Sequence, residues 1–498
     1  MTQWIETSKT LQNGEPVTRA IEIEPMDREI FFTDSAYAEV TDEVADLLTN
    51  NISSISKVSE PGEPGSYFGD AGENVMVQVI APDNTFEDLT VIRDASAESV
   101  STDELSNYIL VSTQTELYDA IGTGQPARLT SDILTTTGLS KDVGDTDVLV
   151  DFNGYELKRD TDHNERQFQI TTTGNVEFKN GRVDGNRSEQ SVFNDGQRPA
   201  ELRVENANEY RVQNMTIVNN AGWSVESRDC DYFDSEGVRV DTNPSGLGPD
   251  AGGLDGIHVR DAITVSITGG SILAGDDGIA VDVVDSTTER VNISGVNVSS
   301  PENANGIKLF IHPDATNSAS LKNIDIDATI SDCEGLGVVI KNEADNGTPI
   351  ENINISGVIE NTRREAIGNT PGDPLKDVTI DATIRDCFGY GIYLRETEDI
   401  TVDSTINIGA GDGEYCVDLE DCMNAELSGT YMNADSHGVQ LNGTTTHVAV
   451  NATIRGYTFN PVNLANNADY VVVVGCDLDG NPVNNGSSAA NLITANNL

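Results

Sequence analysis

From about residue 145 onward, apolar and polar residues alternate in short runs: "VLVDFNGYEL" (148–157), "ITVSITGGSI" (263–272), "VNISGVNV" (291–298), "VTIDATI" (378–384) and "VAVNATI" (448–454). Alternation with period two marks half-buried strands, and the intervening Gly, Asn and Asp mark turns. A second pattern is interleaved with the first: "LDGIHV" (254–259), "DDGIAV" (276–281), "ANGIKL" (304–309), "GLGVVI" (335–340), "GYGIYL" (389–394), "EYCVDL" (414–419) and "SHGVQL" (436–441). With Gly256 as the mark, its equivalents are Gly278, Gly306, Gly337, Gly391, Cys416 and Gly438, at intervals of 22, 28, 31, 54, 25 and 22 residues. The interval of 54 spans two copies, with a degenerate one near "EAIGN" (365–369).

Intervals this short hold two or three strands but no crossover helix, so a doubly wound sheet is excluded. Stacking each coil on the last, at about 4.8 Å, satisfies the pattern. The predicted fold is therefore all-β: a right-handed, single-stranded parallel β-helix over residues 111–480. Ile257, Ile279, Ile307, Val338, Ile392, Val417 and Val439 should form one inward ladder. A propeller is the alternative, but it needs longer blades and antiparallel hairpins. At the start of the solenoid, Thr113 and Glu116 form a capping box before Leu117 and Ile121, predicting a short helix over the open first coil. Residues 1–110 show no repeat and are expected to form a small separate module, with a helix at 41–51. Residues 481–498 read as a tail or cap.

Acidic residues outnumber basic ones 83 to 29, a formal charge of −54. Such a chain repels itself unless salt screens it, which suits a protein of concentrated brine. Bare nucleic acid and anionic membranes are excluded as partners, because both require a basic surface. The N-terminus shows no basic region followed by an apolar run, so no signal peptide is expected, and no apolar run is long enough to insert in a membrane. Six scattered cysteines without a CxxC pair read as small buried thiols. No cofactor or metal is expected, since the five histidines form no ligand cluster. "DTDHNE" (160–165) begins like a calcium loop, but Glu165 takes its glycine position, which leaves a solvated turn.

In a β-helix, residues at one offset from the mark lie above one another. Asp255 precedes Gly256, Asp277 precedes Gly278 and Asn305 precedes Gly306. Asp255 should therefore stack on Asp277, with Asn305 on the next rung and Asp276 alongside. Carboxylates that close cannot ionise independently, so one pKa should rise. Glycosidic cleavage uses such a set, with one acid protonating the leaving oxygen and a carboxylate activating water. Asp-Gly is equally a turn dipeptide, and turn chemistry is the competing reading. His258 takes the outward phase between Ile257 and Val259, either lining a groove beside Asp255 or standing as a surface histidine. Tyr390 and Tyr393, on one coil, are placed to stack sugars.

The pairing of "LDGIHV" with "GDDGIAV" one coil later resembles the polygalacturonase family of parallel β-helix glycoside hydrolases. The resemblance spans roughly residues 200–345. It implies that Asp276 is the general acid and that Asp255 and Asp277 hold the attacking water. "GVVIKN" (337–342) resembles the family's R-I-K motif and implies that Lys341 binds a substrate carboxylate. The chain departs from the family at Gly253 and Leu254, where the family has Asn and Thr, at Asn305, where it has His, and at Val339, where it has Arg. The layout also resembles a viral tailspike or tail fibre, and the acidic composition points to a virus of halophilic archaea. That likeness implies a homotrimer in the virion tail, assembled in the host cytoplasm, binding host surface glycan or glycoprotein and joining other tail proteins through residues 1–110. A free halophilic polysaccharide hydrolase and a structural β-helix without catalysis are the two alternatives.

Overall fold

The computed structural model describes residues 108–497 apart from 162–164, 191–199, 243–244, 246–251, 345–347, 349, 371–373, 410–413, 487–490 and 496; before 108 it describes the backbone of short strands. The chain divides into two compact units, Met1–Tyr108 and Ile109–Leu498. In the first, Ile52–Lys57, Gly65–Ala71, Met76–Ala81 and Leu89–Arg93 pair in antiparallel succession. Glu29–Phe31 and then Glu22–Ile23 extend that sheet. The helix expected at 41–51 falls outside the described residues, except that Thr41 ends the strand Glu39–Thr41.

The second unit is a parallel β-solenoid of about 13 turns. Its strand pairings are all parallel among the described residues, which rules out propeller blades. One sheet, sheet A, carries the marked repeat through strands that include Val225–Arg228, Ile257–Arg260, Ile279–Val283, Ile307–Ile311, Val338–Asn342 and Ile367–Asn369. It continues through Ile392–Arg395, Tyr415–Glu420, His437–Asn442 and Asn460–Leu464. The other two sides of each coil are joined by strands that bend from one into the other. Asn175–Asp184, for example, pairs with both Val148–Asp151 and Glu156–Arg159. In the early coils Asn180, Asn214, Gly237, Gly269 and Gly295 make this bend, all with φ between 51° and 64°. Asn and Gly tolerate that left-handed conformation better than other residues. At Gly295 the register slips by one residue, and the next strand, Ser320–Cys333, runs without the break.

The inward ladder has the expected members in register: Ile257 on Ile279, Ile307, Val338, then Ile392, Val417 and Val439. Ile367 fills the degenerate copy between Val338 and Ile392. The marked glycines are explained by crowding, not by turn conformation, since neither Gly256 nor Gly278 has positive φ. A Cβ on Gly256 would lie 2.3 Å from Ile272 Cγ2 and 2.5 Å from the Gly278 carbonyl. The corner backbone thus packs directly on the opposite wall. In a later coil Cys416 takes the same position, fully buried.

Helix Gln114–Thr123 carries the capping box at Thr113 and Glu116 and ends at Gly124, whose φ of 67° suits a left-handed cap. Its buried residues Leu117, Ala120 and Ile121 face the first strands. Beyond residue 480, Asn484–Asn485 and Leu492–Ala495 still pair in parallel with the preceding coil. All six cysteines are free and buried.

Candidate functional site

The residue just before each mark and the residues two and four after it form rows along sheet A, on the side away from the inward Ile257 and Ile279. One row runs Asp255, Asp277, Asn305, following the backbone bonds from Gly256 N to Asp277 O and from Gly278 N to Asn305 O. The next runs Glu226, His258, Ala280, Lys308, Val339. A third runs Arg260, Asp282, Phe310, Lys341. The stacking of Asp255, Asp277 and Asn305 is as the spacing predicted.

His258 is the centre of this surface and is not a surface histidine. Only 6% of it is exposed. Its Nδ1–H donates to Asp255 Oδ2 at 2.8 Å, its Nε2 lies 3.1 Å from Asp282 Oδ2, and its ring stacks on Trp223 from the preceding coil. Burial disfavours its charge, yet Asp282 and Asp255 outweigh burial and push its pKa up to about 10. The two nitrogens therefore both donate. Burial likewise raises Asp255, and repulsion from Asp276 and Asp277 adds to it, while the His258 bond and charge oppose; the carboxyl ends at about 7. For Asp282 burial is outweighed by the His258 charge, its hydrogen bond and Lys308, so it lies below the ordinary range. Its Oδ1 is buried with no hydrogen-bond partner.

Asp277 is held from two sides. Asn305 Nδ2 donates to its Oδ1 at 2.8 Å, and Lys308 Nζ lies 3.2 Å from Oδ2. Lys308 also sits 4.8 Å from the centroid of Phe310. Asp276 is half-buried; the Gly253 amide donates to its Oδ2 and Asn303 Nδ2 to its Oδ1 at 3.3 Å. Lys341 is two rungs from Asp277, pairs with Glu343 and lies 5.3 Å from the centroid of Phe310. The structure thus brings Asp255, Asp276, Asp277, Asn305 and His258 together and leaves Lys341 at the edge.

Three partners were not singled out from the sequence. Lys308 shares the offset of His258, two residues after the mark, so the repeat itself carries the signal. Asp282 stands four residues after Gly278, again in outward phase. Trp223 belongs to a coil whose mark is Ser224, and without a glycine that coil is hard to align. The site holds no group of His, Cys, Asp and Glu arranged for a metal ion among the described residues.

No family model and no curated protein matches the chain. Among solved structures, similarity extends to a polygalacturonase from Erwinia carotovora ssp. carotovora, at 12% identity and a TM-score of 0.34, over 71% of this chain and 93% of that one. Bacteriophage CBA120 tailspike protein 3 is similar at 9% identity and a TM-score of 0.45, over 99% of this chain and 78% of that one. The A-module of the Azotobacter vinelandii mannuronan C-5 epimerase AlgE4 is similar at 11% identity and 0.36, over 70% and 91%. The parallel β-helix itself is read from the strand pairings of this chain, and these structures are what it is similar to. Likeness at this level matches no individual residues, so the chemistry of the site stands on its own geometry.

Proposed function

We propose that the protein is a viral tail protein that binds host-surface glycan and hydrolyses it, with inversion, at Asp255, Asp276 and Asp277. The supporting observation is the Asp255 carboxyl, raised to about 7 and tethered to His258. A base that titrates close to the working pH is suited to activating water. Asp255 and Asp277 orient that water, and Asn305 and Lys308 hold Asp277 in place. Asp276, the more exposed of the three, protonates the leaving oxygen. Lys341 meets a substrate carboxylate at the edge. In this reading the protein is a homotrimer joined to the tail through residues 1–110, and its host lives in brine.

The test is release of reducing ends from halophilic archaeal envelope in molar KCl. Asp276→Asn should lower release at least about 100-fold, the scale of a lost general acid, and leave envelope binding unchanged. Equal release by the variant would place the chemistry elsewhere.

A further inference from the structure

The row that carries carboxylates in the first half of sheet A carries aromatic rings in the second. Tyr390 and Tyr415 stack with centroids 5.3 Å apart and planes within 12°. Tyr415 and His437 follow at 5.7 Å and 7°, and Phe459 lies 5.8 Å beyond His437. Tyr393 leans on Tyr390 at 4.8 Å. These steps follow the strand spacing and match the length of about one sugar ring in an extended chain.

The rings are fixed in place. Tyr390 Oη donates to Glu414 at 3.0 Å, and Tyr393 Oη donates to Glu420 at 2.8 Å. Beside them runs a chain of polar side chains in register. Asn463 Nδ2 donates to Gln440 Oε1 at 2.7 Å, Gln440 Nε2 to Asn442 Oδ1 at 2.8 Å, and Asn442 Nδ2 to Asp418 Oδ1 at 3.2 Å. Asp418 and Gln440 are each only 3% exposed. Stacked rings alone would serve to stabilise a parallel ladder. Phe459 argues for more, because it ends the strip 65% exposed and buries little on folding.

We infer that this strip is a second glycan site, distinct from the carboxylate cluster, that takes an uncharged oligosaccharide lying along the solenoid axis. Sugar C–H groups pack on the open face of Phe459 and along the outer edges of the stacked rings, and hydroxyls pair with the half-buried Asn442 and Asn463. Arg395 pairs with Glu420 and lies near Asp418, while Glu414 adds a third acidic group beside Asp418, so a polyanion is disfavoured here. The contrast with Lys308 and Lys341 in the first half is one of charge. The strip is independent of hydrolysis at Asp276.

Calorimetric titration of the full chain in molar KCl tests this, with cellohexaose, mannohexaose and N-acetylchitohexaose as neutral probes and hexagalacturonate as the acidic one. At least one neutral probe should bind. Tyr415→Ala and Phe459→Ala should each weaken it by about tenfold, the scale of a lost aromatic contact, while Tyr415→Phe and Asp276→Asn leave it unchanged. Phe459 is too exposed for its removal to unfold the protein. Failure of every neutral probe to bind overturns the inference. So does neutral binding that survives both alanine variants, or hexagalacturonate binding that is lost with them.

Discussion

The imidazole of His258 lies flat against the indole of Trp223, with ring centroids 4.1 Å apart and planes within 16°. An imidazolium in that position quenches indole emission, so Trp223 reports the charge on His258. Trp4 is the other tryptophan. In a Trp4→Phe background, emission should stay low through neutral pH and rise in a transition near 10, where His258 loses its proton. His258→Gln should remove the transition. A midpoint at the ordinary imidazole value of about 6.5 would show that Asp282 and Asp255 do not hold the proton.

The same shifts set how stability varies with pH. His258 is raised, so its contribution is complete below about 6.5 and is lost as pH climbs towards 10. Asp255 and Asp418 are raised to about 7, Asp418 by burial and then by Glu420, so they favour the folded state most below about 3.9 and least above 7. Asp282 acts oppositely and is lost only in acid. The melting temperature should therefore be highest in mildly acidic buffer and decline from there to pH 10. Asp418→Asn should flatten the decline between pH 5 and 8, as followed by circular dichroism.

Crowding at the repeat mark predicts a cost for one methyl group. A Cβ on Gly278 would meet Val298 Cγ1 at 2.3 Å and the Gly306 carbonyl at 2.6 Å. Gly278→Ala should destabilise the solenoid by about 1–3 kcal/mol, the range for overpacking. Denaturant titration in high salt measures it, and an unchanged midpoint would refute the close-packed corner.

Salt should act in proportion to the charge excess. With 83 acidic and 29 basic residues, molar KCl screens repulsion that low salt leaves intact. The melting temperature is expected to rise steeply between 0.1 M and several molar KCl. A flat response would remove the case for a brine protein.

The ladder from Ile257 to Val439 was legible because inward side chains must repeat where coils stack, and Gly marks the spot where no side chain fits. The placement of Asp255 on Asp277 followed from the same offset. The burial of His258 was not legible, for it depends on Trp223 in a coil without the glycine mark and on Asp282 one coil later. Asp-Gly looked equally like a turn, and only the backbone dihedrals separate the two readings. Lys308 was visible at its offset but carries no motif of its own. Beyond residue 480, "NNGSSAANLITANNL" lacks the apolar density of earlier coils, yet Leu492–Ala495 keeps the register set by Asp469–Val474.

Among the described residues, the strands of each coil of the solenoid pair with those of its immediate neighbours, through hydrogen bonds that run along the axis. Tension between the two ends therefore falls on those bonds in series, one coil boundary at a time. Under an optical trap the chain should lengthen in a regular staircase, each step freeing about 20–30 residues or roughly 70–110 Å of extended backbone. A coil that has let go leaves the next one whole, so the solenoid should yield as a graded shock absorber and not as a single brittle link.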